Sequence, residues 1–342
     1  MPLRTGLAAT ALLVAATVLV SAALPPALTG PLDGRQVFPR SNWWNQDVSR
    51  APVDPASAAY IDFISGRVGG NTTATRRVHP DFGPSPYGIP YVVVSGDQPL
   101  VRPYWTAYGD ESDEGAAGRA PGYPIPDEAK TQASYIEGAV PGGGAAGDRH
   151  LLIVDRDNWL LYETGATRWN AAASRWEADC GAVFNLDRND RRPETWTSAD
   201  AAGLAIFPGL VRFDEAYGTA EIAHAFRVTV RATNGYVWPA SHRAGSTTGA
   251  LPMGARLRLK AAKDLSGYSA PIQRIFRAMQ RYGLIVADNG SDMYVSGTMD
   301  QRWDNGVLNP AFHGLTADDF EVVQLGWRGS PPQPPLNLRF IR

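Results

Sequence analysis

Cysteine, catalytic signature motifs and long apolar segments are all scarce in this sequence. Cys180 is the single cysteine among 342 residues, which excludes an intramolecular disulfide and a zinc site built from several thiolates. We interpret Cys180 as a small buried side chain rather than a nucleophile. The sequence contains no G-x-S-x-G, H-E-x-x-H, Walker or EF-hand motif. The commonest serine hydrolases and zinc proteases are therefore excluded, whereas glycosidases, whose two carboxylates have no fixed spacing, are not.

An excess of one charge is also missing. The chain has 32 basic and 34 acidic residues, so the whole-chain balance excludes a nucleic-acid footprint. Apolar residues make up 44% of the chain, which is enough for a large core and argues against disorder over most of its length. Its 35 glycines and 27 prolines predict many turns, and its 10 tryptophans are typical of carbohydrate-binding surfaces.

One apolar run stands near the N-terminus. Arg4 precedes the uncharged segment 7–24, and the small residues Val20-Ser21-Ala22 suit signal-peptidase cleavage. We therefore predict a signal peptide over residues 1–23 and a secreted bacterial protein without a membrane span after processing. A retained anchor helix is the alternative, because the run is just long enough to cross a bilayer.

The rest of the chain shows no repeat and no clear internal linker. We predict a Pro/Gly-rich tether over 24–40, a single β-rich domain over 41–328 and a Pro-rich tail over 329–342. The expected fold class is mainly β, a jelly-roll-like β-sandwich with a few short helices and one longer helix near 270–282.

Periodicity supports this fold class. A hairpin is predicted from Leu151–Asp155 and Trp159–Glu163, which flank the turn Arg156-Asp157-Asn158. Alternating apolar residues predict a strand over Glu221–Val230, and Pro271 and Gly283 bound the long amphipathic helix.

Several phrases between residues 198 and 300 resemble a group of secreted bacterial hypothetical proteins. These phrases are Ser198-Ala199-Asp200-Ala201-Ala202-Gly203-Leu204, Pro208-Gly209-Leu210-Val211-Arg212-Phe213-Asp214-Glu215, Glu221-Ile222-Ala223-His224-Ala225-Phe226-Arg227-Val228-Thr229, Tyr236-Val237-Trp238-Pro239-Ala240-Ser241-His242, Met253-Gly254-Ala255-Arg256-Leu257-Arg258-Leu259-Lys260 and Tyr282-Gly283-Leu284-Ile285-Val286-Ala287-Asp288-Asn289-Gly290. The resemblance implies export and a single fold, and it brings no activity with it.

Carboxylates near strand ends are the main candidates for catalysis. We select Asp214, Glu221 and Asp288 as the source of an acid/base or acid/nucleophile pair, with His242 beside them in a loop. Asp214 and Glu215 are expected on opposite faces of a strand, with Arg212 on the face of Asp214 and able to keep it ionised. A structural role in ion pairs, turns or helix caps is the alternative for each carboxylate.

Arginines and tryptophans are the candidates for substrate binding. Arg212 and Arg227 are expected to orient substrate. Arg256 and Arg258 are expected on an outward strand face with Lys260, where they would neutralise uronate carboxylates. Sugar rings are expected to stack on exposed tryptophans, which we identify as Trp43, Trp44 and Trp238.

Cofactor signals are weak. Gly142–Gly147 matches G-x-G-x-x-G, but Pro141 precedes it and a strand follows it, so we interpret it as a flexible loop. A metal site from His224, His242 and Glu221 is chemically feasible, with Asp81, His79 and His150 as further ligands, yet no spacing demands it. We therefore predict no cofactor.

These features favour a secreted carbohydrate-active enzyme. The leading hypothesis is a glycoside hydrolase that acts on a polysaccharide or cell-wall glycan with a carboxylate pair. A lyase for acidic polysaccharide, with an arginine and a histidine or tyrosine, is the second hypothesis. A non-catalytic glycan-binding or cell-envelope protein is the third.

Overall fold

The computed structural model describes residues 25–67 and 73–329. The predicted signal peptide and nearly all of the Pro-rich tail lie outside these residues. Strands contain 24% of the residues and helices contain 18%, so the chain is mainly β with few helices, as predicted. The helices are α1 (Ser57–Ser65), α2 (Phe213–Ala216), α3 (Ala270–Arg281) and α4 (Asn305–His313). None of the helices in the described residues is long and apolar enough to cross a membrane.

The first sheet of the fold has five strands. Its order is β1-β3-β5-β6-β9, in which β3 and β5 are parallel and the other neighbours are antiparallel. Its strands are β1 (Ala27–Leu28), β3 (Tyr91–Val94), β5 (Leu151–Asp155), β6 (Leu160–Gly165) and β9 (Cys180–Asn185). The predicted hairpin of β5 and β6 is confirmed, and the Asp155 carboxylate accepts the backbone N–H of Asn158 at 3.0 Å in its turn.

The second sheet is mixed and has six strands. Its order is β14-β11-β12-β10-β13-β2, with parallel pairs β10–β12 and β13–β2. Its strands are β2 (His79–Gly83), β10 (Phe226–Val230), β11 (Arg256–Leu259), β12 (Leu284–Asn289), β13 (Tyr294–Met299) and β14 (Phe320–Val322). A third sheet, in the order β4-β8-β7, contains β4 (Tyr104–Trp105), β7 (Arg168–Asn170) and β8 (Arg175–Ala178).

Two apolar cores cover both faces of the five-stranded sheet. Val93, Val154 and Leu161 belong to the main core, which also holds the apolar side chains of the six-stranded sheet. Val92 and Ile153 point the other way, into a smaller core beside the three-stranded sheet. Because both faces are covered, β5 and β6 are buried along their whole length.

The long helix is confirmed at its predicted place. Pro271 lies in the first turn of α3, and Ile275 and Met279 are fully buried on its apolar face. Gly283 ends the helix with φ +77°, and a Cβ there would lie 2.5 Å from the carbonyl oxygen of Leu257. The turn therefore requires glycine, and it delivers the chain directly into β12.

Two segments differ from the sequence-based expectations. Residues 24–40 were expected to form a tether, but Ala27–Leu28 pairs with β3 and the Phe38 side chain is buried, so this segment packs on the domain. The strand expected from Glu221 begins only at Phe226, because the Ala225 N–H donates to the carbonyl of Trp44 rather than to a neighbouring strand.

Candidate functional site

Two clefts contain most of the sequence-predicted polar residues. The larger one, which we call the large cleft, has a volume of about 570 Å³ and is lined by Arg212, Asp214, Glu215, Glu221, His224, Asp300 and Arg302, among others. The smaller one has a volume of about 340 Å³. We call it the acidic cleft, and its ionisable lining consists of Asp81, Glu137, Asp148, His150, Arg227, Asp288 and Tyr294.

The floor of the acidic cleft is a polar row across the six-stranded sheet. Phe226 and Val228 point into the core, so strand alternation turns Arg227 to the opposite face. The Arg227 guanidinium donates to Ser296 Oγ on β13 at 2.9 Å. Ser296 is in register with Asp81 on β2, which extends the row to the edge of the sheet.

The wall of the acidic cleft comes from the two ends of the Gly-rich loop. Glu137 precedes the loop and His150 follows it, and the Glu137 N–H donates to the His150 carbonyl at 3.0 Å. The His150 ring adds a contact of 2.7 Å between Nδ1 and Glu137 Oε2. The two ends of the loop are therefore held together by hydrogen bonds. The loop positions the Glu137 carboxylate rather than a nucleotide phosphate.

The surroundings of His150 favour its protonated form. Its Nδ1 faces the Glu137 carboxylate and its Nε2 lies 3.0 Å from the carbonyl oxygen of Ala199, so both nitrogens face acceptors. Burial lowers the pKa of His150, but the charge and hydrogen bond of Glu137 outweigh it and raise the pKa to about 9. Burial raises the pKa of Glu137, and His150 more than reverses this, so the pKa of Glu137 lies below its ordinary value.

The carboxyl group of Asp81 differs from that of Glu137 both in its contacts and in the direction of its pKa shift. No hydrogen bond or ion pair reaches its carboxyl from the described residues, and burial together with the nearby charge of Glu137 raises the pKa of Asp81. Glu137 uses Oε2 for His150, which leaves Oε1 without a hydrogen-bond partner in the described part of the chain. The cleft thus combines a carboxyl whose pKa is raised with a carboxylate whose pKa is lowered.

Arg227 is shared between two carboxylates beside this pair. It donates to Asp200 Oδ1 through Nε at 3.1 Å and to Asp288 Oδ2 at 3.0 Å. Asp200 is fully buried, and its Oδ2 has no hydrogen-bond partner among the described residues. Burial raises the pKa of Asp200 to about 6, although Arg227 opposes the shift.

A second buried acid lies behind the cleft. Glu163 on β6 is fully buried and accepts hydrogen bonds from the backbone N–H groups of Ile206 and Phe207 at 2.8–3.0 Å. Burial raises its pKa to about 7 despite these donors. The charges of Asp200 and His150 also act on Glu163, so these groups titrate as one network.

The large cleft places Asp214 differently from the prediction. Residues 213–216 form α2 rather than a strand, so Arg212 pairs with Glu215 at 2.6 Å and not with Asp214. Glu215 also contacts His224 Nε2 at 3.0 Å. Asp214 is exposed and paired with Arg302 at 2.6 Å. Its expected partnership with Arg212 is therefore wrong, because the helical turn brings position 215 back over position 212.

Glu221 forms an exposed ion pair. Arg277 on α3 contacts its carboxylate at 2.8 Å through two nitrogens, and both side chains are exposed. Arg227, which the sequence analysis expected to orient substrate, lines the acidic cleft. Of the predicted catalytic residues, Asp214 and Glu221 thus line the large cleft and Asp288 lines the acidic cleft.

The predicted basic stripe is wrong. Arg256 and Arg258 are each only 7% exposed, because residues 43–51 cover this strand face. Arg256 donates to the carbonyls of Trp43, Gln46 and Tyr282. Arg258 donates to the carbonyls of Val48 and Ala51 and to the Glu321 carboxylate. Both arginines therefore fasten the N-terminal segment to β11 and leave no guanidinium for a uronate.

The expected exposed tryptophan pair is also wrong. Trp43 is 5% exposed and Trp44 is fully buried, because the short 3₁₀ turn at Trp43–Asn45 inserts both rings into the main core. Trp238 packs edge-on against Trp43 with ring centroids 6.2 Å apart, and the pocket beside it has only about 10 Å³. That space is too small for a sugar ring.

His242 lines neither cleft. Its Nδ1 lies 2.8 Å from the Ala201 carbonyl oxygen, which fixes the ring against the loop that contains Asp200. Glu137 is the functional candidate that the sequence analysis missed, and the one available signal was its position at the start of the Gly-rich loop. Asp81 and His150 were considered only as metal ligands. Within residues 25–67 and 73–329, no three His, Cys, Asp or Glu side chains are grouped as a metal site.

Cys180 agrees with the prediction of a small buried side chain. It is 8% exposed, and its Sγ donates to the carbonyl of Ser198 at 3.1 Å. Burial raises the pKa of the thiol to about 12, so the reactive thiolate is suppressed. Comparison of the chain with protein-family models, with curated proteins and with solved structures gives no match.

Proposed function

We propose that the protein is a secreted glycoside hydrolase and that the acidic cleft is its catalytic site. One observation carries this proposal: a carboxyl with a raised pKa, Asp81, lines the same cleft as a carboxylate with a lowered pKa, Glu137. Environments that separate the pKa values of two acids in this way are the arrangement that glycoside hydrolysis needs.

The proposed reaction assigns one role to each carboxyl. Asp81 donates its proton to the glycosidic oxygen as the bond from that oxygen to the anomeric carbon breaks. Glu137, as the ionised partner, either attacks the anomeric carbon or removes a proton from the water that attacks it. Water supplies the hydroxyl of the new reducing end and a proton that restores Asp81, so one bond is hydrolysed without a cofactor.

Asp288 and Arg227 complete the proposed site. Arg227 fixes the Asp288 carboxylate at 3.0 Å, and Asp288 then offers its remaining oxygen positions to substrate hydroxyls. Asp288, which the sequence analysis selected as a catalytic carboxylate, becomes a substrate contact in this proposal. Asp214 and Glu221 become exposed ion-pair residues outside the reacting centre.

The wider setting of this proposal is export and a layered β fold. We propose that the five- and six-stranded sheets are the two layers of a sandwich. Parallel neighbours within both sheets depart from a purely antiparallel jelly roll. Secretion is proposed from the signal-peptide pattern of residues 1–23.

A glycan panel tests the function. Residues 24–342 are incubated with neutral, acidic and amino-sugar polysaccharides while new reducing ends and the ultraviolet absorbance of unsaturated uronates are followed together. Reducing ends without that absorbance support the hydrolase. Both signals together indicate the lyase instead. If neither signal appears with any glycan of the panel, the proposal is contradicted and a glycan-binding role is favoured.

A further inference from the structure

We propose that the acidic cleft selects a positively charged glycan, one that contains free amino sugars, over neutral and acidic glycans. This inference rests on the hydrolase function proposed above and names its substrate class. It follows from which charges around the cleft are already paired and which are still available to a ligand.

Both cations of the cleft are engaged inside the protein. His150 directs one ring nitrogen to Glu137 and the other to the Ala199 carbonyl. Arg227 spreads its donors over Asp200, Asp288 and Ser296. The described lining therefore offers no unpaired cation to the carboxylate of a uronic acid.

The acids, in contrast, exceed what these cations compensate. Even with Asp81 protonated, as its proposed role requires, the lining holds three other acids, Glu137, Asp148 and Asp288, against the two cations His150 and Arg227. The Asp148 side chain has no hydrogen bond or ion pair in the described part of the chain. The fully buried Asp200 also pairs with Arg227, and its Oδ2 has no hydrogen-bond partner in the described residues. Asp200, which lies outside the cleft lining, thus compensates part of the positive charge of Arg227. The lining residues are left with an excess of negative charge.

This excess of negative charge favours one class of ligand over the others. A carboxylate that enters the cleft meets like charge in a partly buried site, where such interactions are far stronger than in water. An ammonium group meets the unpaired Asp148 carboxylate, which accepts a charge-assisted hydrogen bond from it. A neutral hydroxyl or acetamide gains neither the attraction nor the repulsion.

Asp148 allows the charge effect to be separated from catalysis. It is exposed and lies on the Gly-rich loop, outside the Asp81–Glu137 pair. Asp148→Asn removes one negative charge and keeps the size of the side chain. Asp190→Asn is a matched control, because Asp190 is also exposed but does not line the cleft.

The experiment compares two ligands that share one backbone and a third ligand that carries carboxylates. Trisaccharides of chitosan and chitin differ only in the free or acetylated amine, and a trigalacturonate supplies the acidic member. Binding to the wild type, to Asp148→Asn and to Asp190→Asn is measured by titration calorimetry in mildly acidic buffer, at low and at high salt.

We expect the chitosan trimer to bind at least about tenfold more tightly than the chitin trimer, with the difference shrinking in high salt. Asp148→Asn should reduce the chitosan affinity about threefold to tenfold, and Asp190→Asn should leave it unchanged. Equal or weaker binding of chitosan, or equal effects of the two variants, would overturn the inference. If a neutral or acidic glycan is hydrolysed while chitosan shows no preference, the inference alone fails. If chitosan is preferred and no glycan is hydrolysed, the proposed function alone fails.

Discussion

Glu137 Oε2 lies 2.7 Å from Nδ1 of His150, and the other nitrogen of that ring lies 3.0 Å from the Ala199 carbonyl oxygen. The imidazolium is thus held between a carboxylate and a backbone acceptor. This contact keeps Glu137 ionised while it lines the same cleft as the unpaired Asp81. The proposed chemistry depends on this difference between two carboxyl groups that the sequence separates by 56 positions.

Replacement of His150 tests how Glu137 is kept ionised. His150 is the main group that lowers the pKa of Glu137 against the effect of burial, so His150→Gln should raise that pKa. Because hydrolysis requires an ionised Glu137, the acidic limb of the pH profile should shift to a higher pH in this variant. The pH dependence of kcat/KM measures this limb in the free enzyme.

His242→Gln is the matched control for that experiment. The His242 ring bonds to the Ala201 carbonyl and lines neither cleft, so its loss should leave both limbs of the profile in place. A folded His150→Gln protein with an unchanged acidic limb would contradict the role that we give to His150.

Arg227 is expected to be essential to the stability of the fold. It is 3% exposed and is shared between Asp200 and Asp288, so Arg227→Met leaves buried carboxylates without a cation. We expect a loss of about 3–5 kcal/mol in the free energy of unfolding. Arg277→Met breaks the exposed pair with Glu221 and should cost at most about 1 kcal/mol. Urea denaturation of both variants checks the contrast, and similar losses would refute the buried network.

The stability of the protein should fall as the pH rises from about 6 to about 9. Folding raises the pKa of Asp200 to about 6, that of Glu163 to about 7 and that of His150 to about 9. The folded state therefore binds protons more tightly than the unfolded state over this range, which gives the free energy of unfolding a negative slope with pH. The contribution of His150 is complete below about pH 6.5 and is lost as the pH rises through about 9.

Glu163→Gln isolates one part of this slope. The variant removes the titration of Glu163, so stability should depend less on pH between about 4.5 and 7, by up to about 3 kcal/mol over that window. Denaturant unfolding of both proteins at several pH values provides the measurement. Parallel pH dependences would show that Glu163 does not take up a proton on folding.

The sequence predicted local elements better than the site. Periodicity located α3 and the β5–β6 hairpin because their signals lie within a few neighbouring residues. Burial of Arg256 and Trp44 depends on the chain of residues 43–51 crossing β11, which no local pattern reveals. Glu137 escaped notice for the same reason, because its importance arises from a strand edge far away in sequence.

Substitutions of the carboxyl residues in the two clefts distinguish which cleft contains the reacting centre. Asp214→Asn and Glu221→Gln alter exposed ion pairs in the large cleft, so glycan hydrolysis should stay within about twofold of the wild type. Asp81→Asn and Glu137→Gln should each lower kcat at least about a hundredfold. Steady-state kinetics on the glycan that the panel identifies checks both pairs. Large losses in Asp214→Asn or Glu221→Gln would move the reacting centre to the large cleft.

Cleavage of glycosides that differ only in leaving group tests the roles of Asp81 and Glu137 most directly. A dinitrophenyl leaving group needs no protonation, whereas a sugar leaving group does. Asp81→Asn should therefore lose about 10²–10⁴-fold in kcat/KM on the natural glycan and almost nothing on the dinitrophenyl glycoside of the same sugar. Glu137→Gln should lose activity on both substrates. Equal losses of Asp81→Asn on the two substrates, or full activity of Glu137→Gln on either, would contradict the assignment.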